Sequence, residues 1–364
     1  MKTKFWVRTA AAFLAAVLLY PMNVQAISAQ KAIVMDGQTG RVLYEKRADD
    51  RSLVASTTKI MTALLVCQQC NVLEQVSVPK EAVGVEGSSM YLQVGEVLTV
   101  QELLYGLMLS SGNDAAVALA IYCGGSEEAF VDLMNQKAES LGLHGTHFAN
   151  PHGLDAPAHY STARDLAILA AYAMENPIFA QTVSTKCVHA GGRYLTNHNK
   201  LLWQVEGADG VKTGYTKAAG RILVSSAVQH GRRLVCVTID DGNDWQDHAA
   251  LYRQGFAEFS AQKILSAGDI VGQYAVFGGE QDLVRLCAGA DFSYALAEGE
   301  QVQISLGGRE FVYAPVAANA PAGYAYILVD GKAVGKVPVY YETTVLRRQE
   351  EKKSFWQRWF GGAQ

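Results

Sequence analysis

Strand-like runs stand at both ends of residues 27–265, with helix-like runs between them. This order constrains the fold more than any other feature. Lys31–Asp36 and Arg41–Lys46 are short β-prone runs around the turn Gly37-Gln-Thr-Gly40. From Ser56 the apolar spacing becomes helical, over Ser56–Gln69, Val100–Leu109, Asp114–Tyr122, Glu127–Leu141 and Thr162–Met174. Near residue 210 the pattern returns to strands. Arg221–Val228 and Arg233–Asp240 flank Gln229-His-Gly231, and Asp247–Phe259 reads as a closing helix. An α/β domain follows, in which an antiparallel sheet gathers strands from both ends and a helical block is inserted between them. From about residue 266 the style changes to short alternating strands, such as Tyr324–Val329 and Val334–Tyr341 around Asp330-Gly331. Residues 266–345 are therefore expected to form a small all-β domain, with the boundary near Leu265.

The chain of 364 residues is 49% hydrophobic and 18% charged, enough to build a sizeable core. A net charge of −4 argues against a nucleic-acid partner. Lys2, Lys4 and Arg8 precede the apolar run Ala10–Tyr20, and Val24-Gln25-Ala26 follows with small residues at cleavage spacing. Residues 1–26 thus read as a secretory signal peptide, which places the body outside the cytoplasm. Six cysteines remain after residue 26. An even number in an exported chain permits disulfides, but six allow fifteen pairings and the sequence selects none. Cys67-Gln-Gln-Cys70 has metal-ligand spacing but no second pair, and it lies in an apolar helical pattern. His144, His147, His152 and His159 cluster, but Gly145 and Pro151 argue for a loop. Core thiols and loop or packing histidines are expected, with no metal and no cofactor.

Three short motifs carry the chemistry. Ser56-Thr-Thr-Lys59 opens a predicted helix, and three-residue spacing puts both side chains on one face. A serine hydroxyl is a weak nucleophile and needs an adjacent base. Lysine serves only if desolvation and nearby cations lower its pKa. Alone the spacing says little, since Ser28/Lys31, Ser77/Lys80 and Ser260/Lys263 share it. Only Ser56/Lys59 begins an apolar-periodic helix. Its companions give the specificity: Ser111-Gly112-Asn113 breaks the pattern between two helices, and Lys212-Thr213-Gly214 leads into the later strands. Each tripeptide pattern occurs once in the chain.

This trio, in this order, resembles the low-molecular-weight penicillin-binding proteins that act as serine-type D-Ala-D-Ala carboxypeptidases. Phe148-Ala-Asn-Pro-His-Gly-Leu154, Ser161-Thr-Ala-Arg-Asp-Leu166 and Asp209-Gly-Val-Lys-Thr-Gly-Tyr215 extend the likeness over nearly all of the exported chain. The resemblance implies a penicillin-binding-protein/β-lactamase-like domain acting on peptidoglycan stem pentapeptides, with β-lactams as inhibitors. It also implies roles. Ser56 would attack the penultimate D-alanine carbonyl, Lys59 would take its proton, and Ser111 would relay protons toward the leaving D-alanine. Asn113 would hold the substrate amide, Lys212 and Thr213 the terminal carboxylate side. Gly214 would line the substrate site, and backbone N–H groups of Ser56 and Tyr215 would form the oxyanion hole.

One departure stands out. Family members often carry a carboxylate-pairing arginine after the last sheet strands, where this chain reads Asp241-Gly-Asn-Asp-Trp-Gln-Asp-His248. That duty is open among Lys212, Thr213 and Arg221. A class A β-lactamase shares the trio, but Glu175 is the nearest acid to its deacylation loop and lacks the spacing. A catalytically weak wall-binding homologue or an endopeptidase would use the same residues. The final stretch, 346–364, carries five basic side chains and Phe355, Trp356, Trp359 and Phe360 at helical spacing. It is expected to lie on the outer face of the cytoplasmic membrane.

Overall fold

The computed structural model describes residues 27–307 and 309–349. The expected signal peptide and the aromatic end of the tail lie outside them.

Five antiparallel strands form the first sheet, in the order Val42–Lys46, Lys31–Asp36, Arg232–Ile239, Gly220–Gln229, Ala208–Thr216. The early hairpin joins the late strands through Lys31↔Ile239 to Asp36↔Leu234. The sheet therefore closes around the helical insertion, as the strand–helix–strand order requires. Ala208–Thr216 is an edge strand, and in its register Lys212 opposes Val224 and Tyr215 opposes Arg221.

The inserted block holds the helices Lys59–Gln69, Val100–Leu109, Asn113–Gly124, Glu127–Ser140, Ala163–Ala173 and Pro177–Ser184. Pro177–Ser184 is not legible as a helix from its period, but its start is conventional: Asn176 accepts from the Ile178 and Phe179 N–H groups, and proline takes the first turn. Asn113–Gly124 shows no polar face because it is buried from Asn113 through Ala120. Around it pack Ile60, Leu64, Leu104, Leu107 and Phe130, all fully enclosed. The closing helix spans Asp244–Glu258, three residues earlier than its apolar pattern suggests. Asp241, Asp244 and Asp247 are buried there, and their polar letters hide the start of the helix.

The small domain contains a six-stranded sheet, ordered Val302–Gly307, Pro321–Val329, Lys332–Tyr341, Leu283–Ala288, Ile270–Phe277, Phe311–Tyr313. Asp330 and Gly331 both adopt positive φ (48° and 78°), as a two-residue hairpin turn demands. The expected boundary near Leu265 needs correction. Strand Phe259–Leu265 pairs with Phe292–Ala297, so the small domain takes over at about Phe259. Arg41 clamps the join. It forms a bidentate pair with Glu300 at 2.5 and 2.8 Å and stacks 4.8 Å from the Phe259 ring.

All six cysteines are free thiols. Cys67 sits in the helical core, where burial pushes its thiol up to about 12. The first residues of the expected tail belong to the small domain: the Glu280 N–H donates to the Leu346 carbonyl at 2.9 Å, and Arg348 pairs with Asp282 at 2.9 Å. Among the described residues no helix is long and apolar enough to cross a membrane.

Candidate active site

The chain enters the first helix of the block through a tight 3-10 turn, Ala55–Thr58. This turn carries Ser56. Lys59 is the first residue of the α-helix proper, and its side chain folds back along the turn. The ammonium nitrogen lies 3.0 Å from Ser56 Oγ, 2.6 Å from Asn113 Oδ1 and 2.6 Å from the His152 carbonyl oxygen. Lys59 is 0% exposed. Burial, and next the Lys212 charge, hold its pKa well below the ordinary lysine range, with Asp114 opposing. Both requirements for a lysine base are thus met in one contact set: proximity to the hydroxyl and a penalty on its own charge.

Asn113 is fixed from both ends. Its Oδ1 accepts from Lys59, while its Nδ2 donates to the Glu86 carbonyl. The neighbouring Asp114 carboxylate accepts from the Met90 and Leu92 N–H groups and from Ser89 Oγ, at 3.0, 3.1 and 2.6 Å. The loop 86–92 is thereby folded onto the helix that starts at Asn113. Ser111, in the break before that helix, takes φ +61° and lines the same cleft as Ser56.

Strand Ala208–Thr216 supplies the third wall. A Cβ on Gly214 would stand 3.3 Å from the Ser56 nitrogen and from Thr57 Cγ2, so glycine lets the strand lie against the turn that carries Ser56. Lys212 is not a solvated strand end. It is 1% exposed, donates to the Thr213 carbonyl at 2.9 Å, and burial pushes its pKa down to about 7. Thr213, Gly214 and the exposed Tyr215 line the cleft, a cavity of about 610 Å³.

The histidine-bearing segment proves to be the back wall of the site. Asn150 Oδ1 accepts from the Gly153 N–H at 2.6 Å, and Thr62 Oγ1 donates to the Pro151 carbonyl at 2.6 Å. His159 Nε2 meets Thr58 Oγ1 at 2.7 Å. Burial is the first cause that lowers both His152 and His159 to about 4, so each is neutral at working pH. Sequence reasoning gave these histidines a loop or packing role and missed that the His152 carbonyl accepts from Lys59. It also missed His198, Trp203, Asp244 and Trp245 along the cleft rim. Only the unbroken stretch Phe148–Leu154 signalled part of this.

The sequence profile of the D-alanyl-D-alanine carboxypeptidase family matches residues 20–243, and that of the penicillin-binding protein 5 C-terminal domain matches residues 259–347. The chain belongs to the D-alanyl-D-alanine carboxypeptidase family. It is 32% identical over 330 residues to the D-alanyl-D-alanine carboxypeptidase DacF of Bacillus subtilis, covering 86% of this chain and 85% of that one. Against DacD of Escherichia coli it is 34% identical over 333 residues, covering 86% of each. The crystal structure of penicillin-binding protein 5 from Haemophilus influenzae superposes with a TM-score of 0.77 at 30% identity, over 88% of this chain and 98% of that one. This carboxypeptidase is accordingly a serine-type hydrolase that removes the terminal D-alanine of peptidoglycan stem peptides. Its α/β domain followed by an all-β domain is the layout that both profiles and the superposition share.

Proposed function

We propose that Ser56 is the nucleophile and Lys59 its base. The observation that carries this reading is the 3.0 Å approach of a fully buried lysine to the Ser56 hydroxyl. Neutral Lys59 takes the Ser56 proton as Oγ attacks the penultimate D-alanine carbonyl. The Ser56 and Tyr215 N–H groups receive the oxyanion, since the nucleophile turn and the edge strand lie side by side there. Ser111 passes a proton to the leaving D-alanine nitrogen and is itself reprotonated by Lys59, and the C–N bond breaks. Water then attacks the ester. Lys59, neutral again, takes the water proton and returns it to Ser56 Oγ as the ester bond breaks, and Ser56 is restored. Lys212 and Thr213 stand at the carboxylate side of the bound peptide. Asn113 positions Lys59; to bind a substrate amide as well, its Nδ2 would leave the Glu86 carbonyl.

A β-lactam presents its strained carbonyl where the dipeptide carbonyl would sit, so penicillin should acylate Ser56. Intact-mass measurement after incubation is expected to give a single adduct, absent in Ser56→Ala. An adduct that persists in that variant overturns the assignment.

Export by residues 1–26 and attachment of the tail to the outer membrane face complete the reading. Their support is the charge and apolar order of the two termini.

A further inference from the structure

The reaction releases a residue with a free carboxylate, so the cleft must select a C-terminal anion. Lys212 is a poor sole candidate: it is buried and already donates to the Thr213 carbonyl. Arg221 also lines the cleft. It lies opposite Tyr215 in the sheet register, one residue beyond the Lys212-Thr213-Gly214 run. Its side chain is 44% exposed, and it is gripped along one edge only. Nε donates to Asp244 Oδ2 at 3.2 Å, and Nη2 donates to Oδ1 and Oδ2 at 2.8 and 2.7 Å. Nη1 has no hydrogen-bond partner among the described residues.

Asp244 is itself held. Its side chain is 3% exposed, and Oδ1 accepts from the Trp245 N–H at 2.9 Å. The Trp245 ring lies 5.6 Å from the guanidinium carbon. A carboxylate and an aromatic face thus fix the orientation of a guanidinium whose second edge is uncommitted. A guanidinium keeps its charge at any working pH and presents paired donors that match a carboxylate. Asp244 stands in the segment after the last strands where an arginine was expected. The cation reaches that region from the neighbouring strand instead.

We propose that Arg221 binds the substrate's terminal carboxylate through its Nη1 edge, with Asp244 as the residue that positions it. The proposal rests on the cleft reading given above.

The test compares one peptide ending in D-Ala-D-Ala with the same peptide ending in a carboxamide, using the full-length enzyme. Arg221→Gln is expected to lower kcat/KM on the free acid by roughly 10- to 100-fold, the scale of a lost charged hydrogen bond. The carboxamide should lose far less, so that the preference for the acid collapses. Arg221→Lys should restore part of that preference, and Asp244→Asn should lower it without abolishing it. Equal losses on the two peptides in Arg221→Gln, or an acid preference that survives it, overturn the proposal. Should Arg221→Gln fail to fold, the Arg221→Lys and Asp244→Asn ratios decide in the same way. Ser56→Ala separates the two levels. If it stays active, the cleft reading fails; if it is inactive while Arg221→Gln keeps the acid preference, only the Arg221 assignment fails.

Discussion

Lys59 Nζ stands 2.6 Å from Asn113 Oδ1, so the lysine's nearest side-chain acceptor is polar but uncharged. An amide oxygen steers the ammonium without paying back the charge that burial penalises. A carboxylate at that point would stabilise the protonated lysine, with little water between them to screen the pair. Asn113→Asp is nearly isosteric and should raise the Lys59 pKa, at the cost of the Nδ2 bond to the Glu86 carbonyl. Penicillin acylation at pH 7 is expected to fall at least about 100-fold, the usual scale for a lost general base. The rising limb of its pH profile should move to higher pH. A profile that does not move would mean that Lys59 acts only as a fixed charge.

The same logic separates arginine from lysine at position 59. Guanidinium retains its proton, so Lys59→Arg is expected to be nearly as damaging as Lys59→Ala. Acylation of the arginine variant within a few-fold of the parent would contradict the base assignment. Stopped-flow acylation with a chromogenic lactam makes that comparison.

Gly153 buttresses the site from behind. It adopts φ +92°, and a Cβ there would overlap the Ala55 carbonyl oxygen, next to Ser56. Gly153→Ala is therefore expected to cost at least about 1–2 kcal/mol from the backbone conformation alone, and more if the turn cannot yield. The turn should shift with it, so acylation should fall even where the variant remains folded. Denaturant midpoints and acylation rates measured together check this. A stable variant with full acylation would show that the turn tolerates displacement.

Gly153 also marks where sequence reading stopped. The strand–helix–strand order, the three motifs and the Asp330-Gly331 turn were legible because each has a local cause: period, a special residue pair, or a needed positive φ. The back wall was not. His152 serves through its carbonyl oxygen, which any residue carries, and His159 through Thr58, which is 101 positions away. That Lys212 is enclosed was not legible either, because nothing in its neighbouring letters reports the residues that bury it. Arg221 and Asp244 sit 23 residues apart, and only the sheet and the closing helix bring them together.

Buried neutral histidines tie stability to pH. His248 bridges Ser225 Oγ and Thr238 Oγ1 at 2.6 and 2.9 Å, and burial lowers its pKa to about 3, partly opposed by Asp241. His152 and His159 are lowered to about 4, in each case mainly by burial. In the unfolded chain these groups titrate near 6.5, so between that value and the folded pKa the unfolded state binds more protons. Their contribution is complete above about pH 6.5 and is lost as pH falls toward 4 and then 3. Each histidine can add up to about 1.4 kcal/mol per pH unit within its window. Urea midpoints should fall steadily from pH 7 to pH 4.5, and His248→Gln, though less stable throughout, should show a shallower slope. An unchanged slope in that variant would mean that His248 is already accessible to protons in the fold.

The last expectation concerns attachment to a membrane. Leu346 and Arg348 are tied to the small domain through the Glu280 N–H and the Asp282 carboxylate, so any membrane-binding stretch begins after Gln349. Beyond it stand Lys352, Lys353 and Arg358 with Phe355, Trp356, Trp359 and Phe360. Four aromatics entering an interface would contribute roughly 1.5–3 kcal/mol each before the cost of ordering the segment. The lysines would add attraction to anionic headgroups that weakens with salt. Truncation after Gln349, which spares the docked residues, is expected to abolish co-sedimentation with anionic liposomes. It should leave the thermal midpoint within a degree or two of the full chain. High salt should release part of the full-length protein, because the charges contribute while the aromatics do not respond. If the two proteins sediment alike and truncation lowers the midpoint, the aromatics pack on the protein itself and the membrane assignment fails.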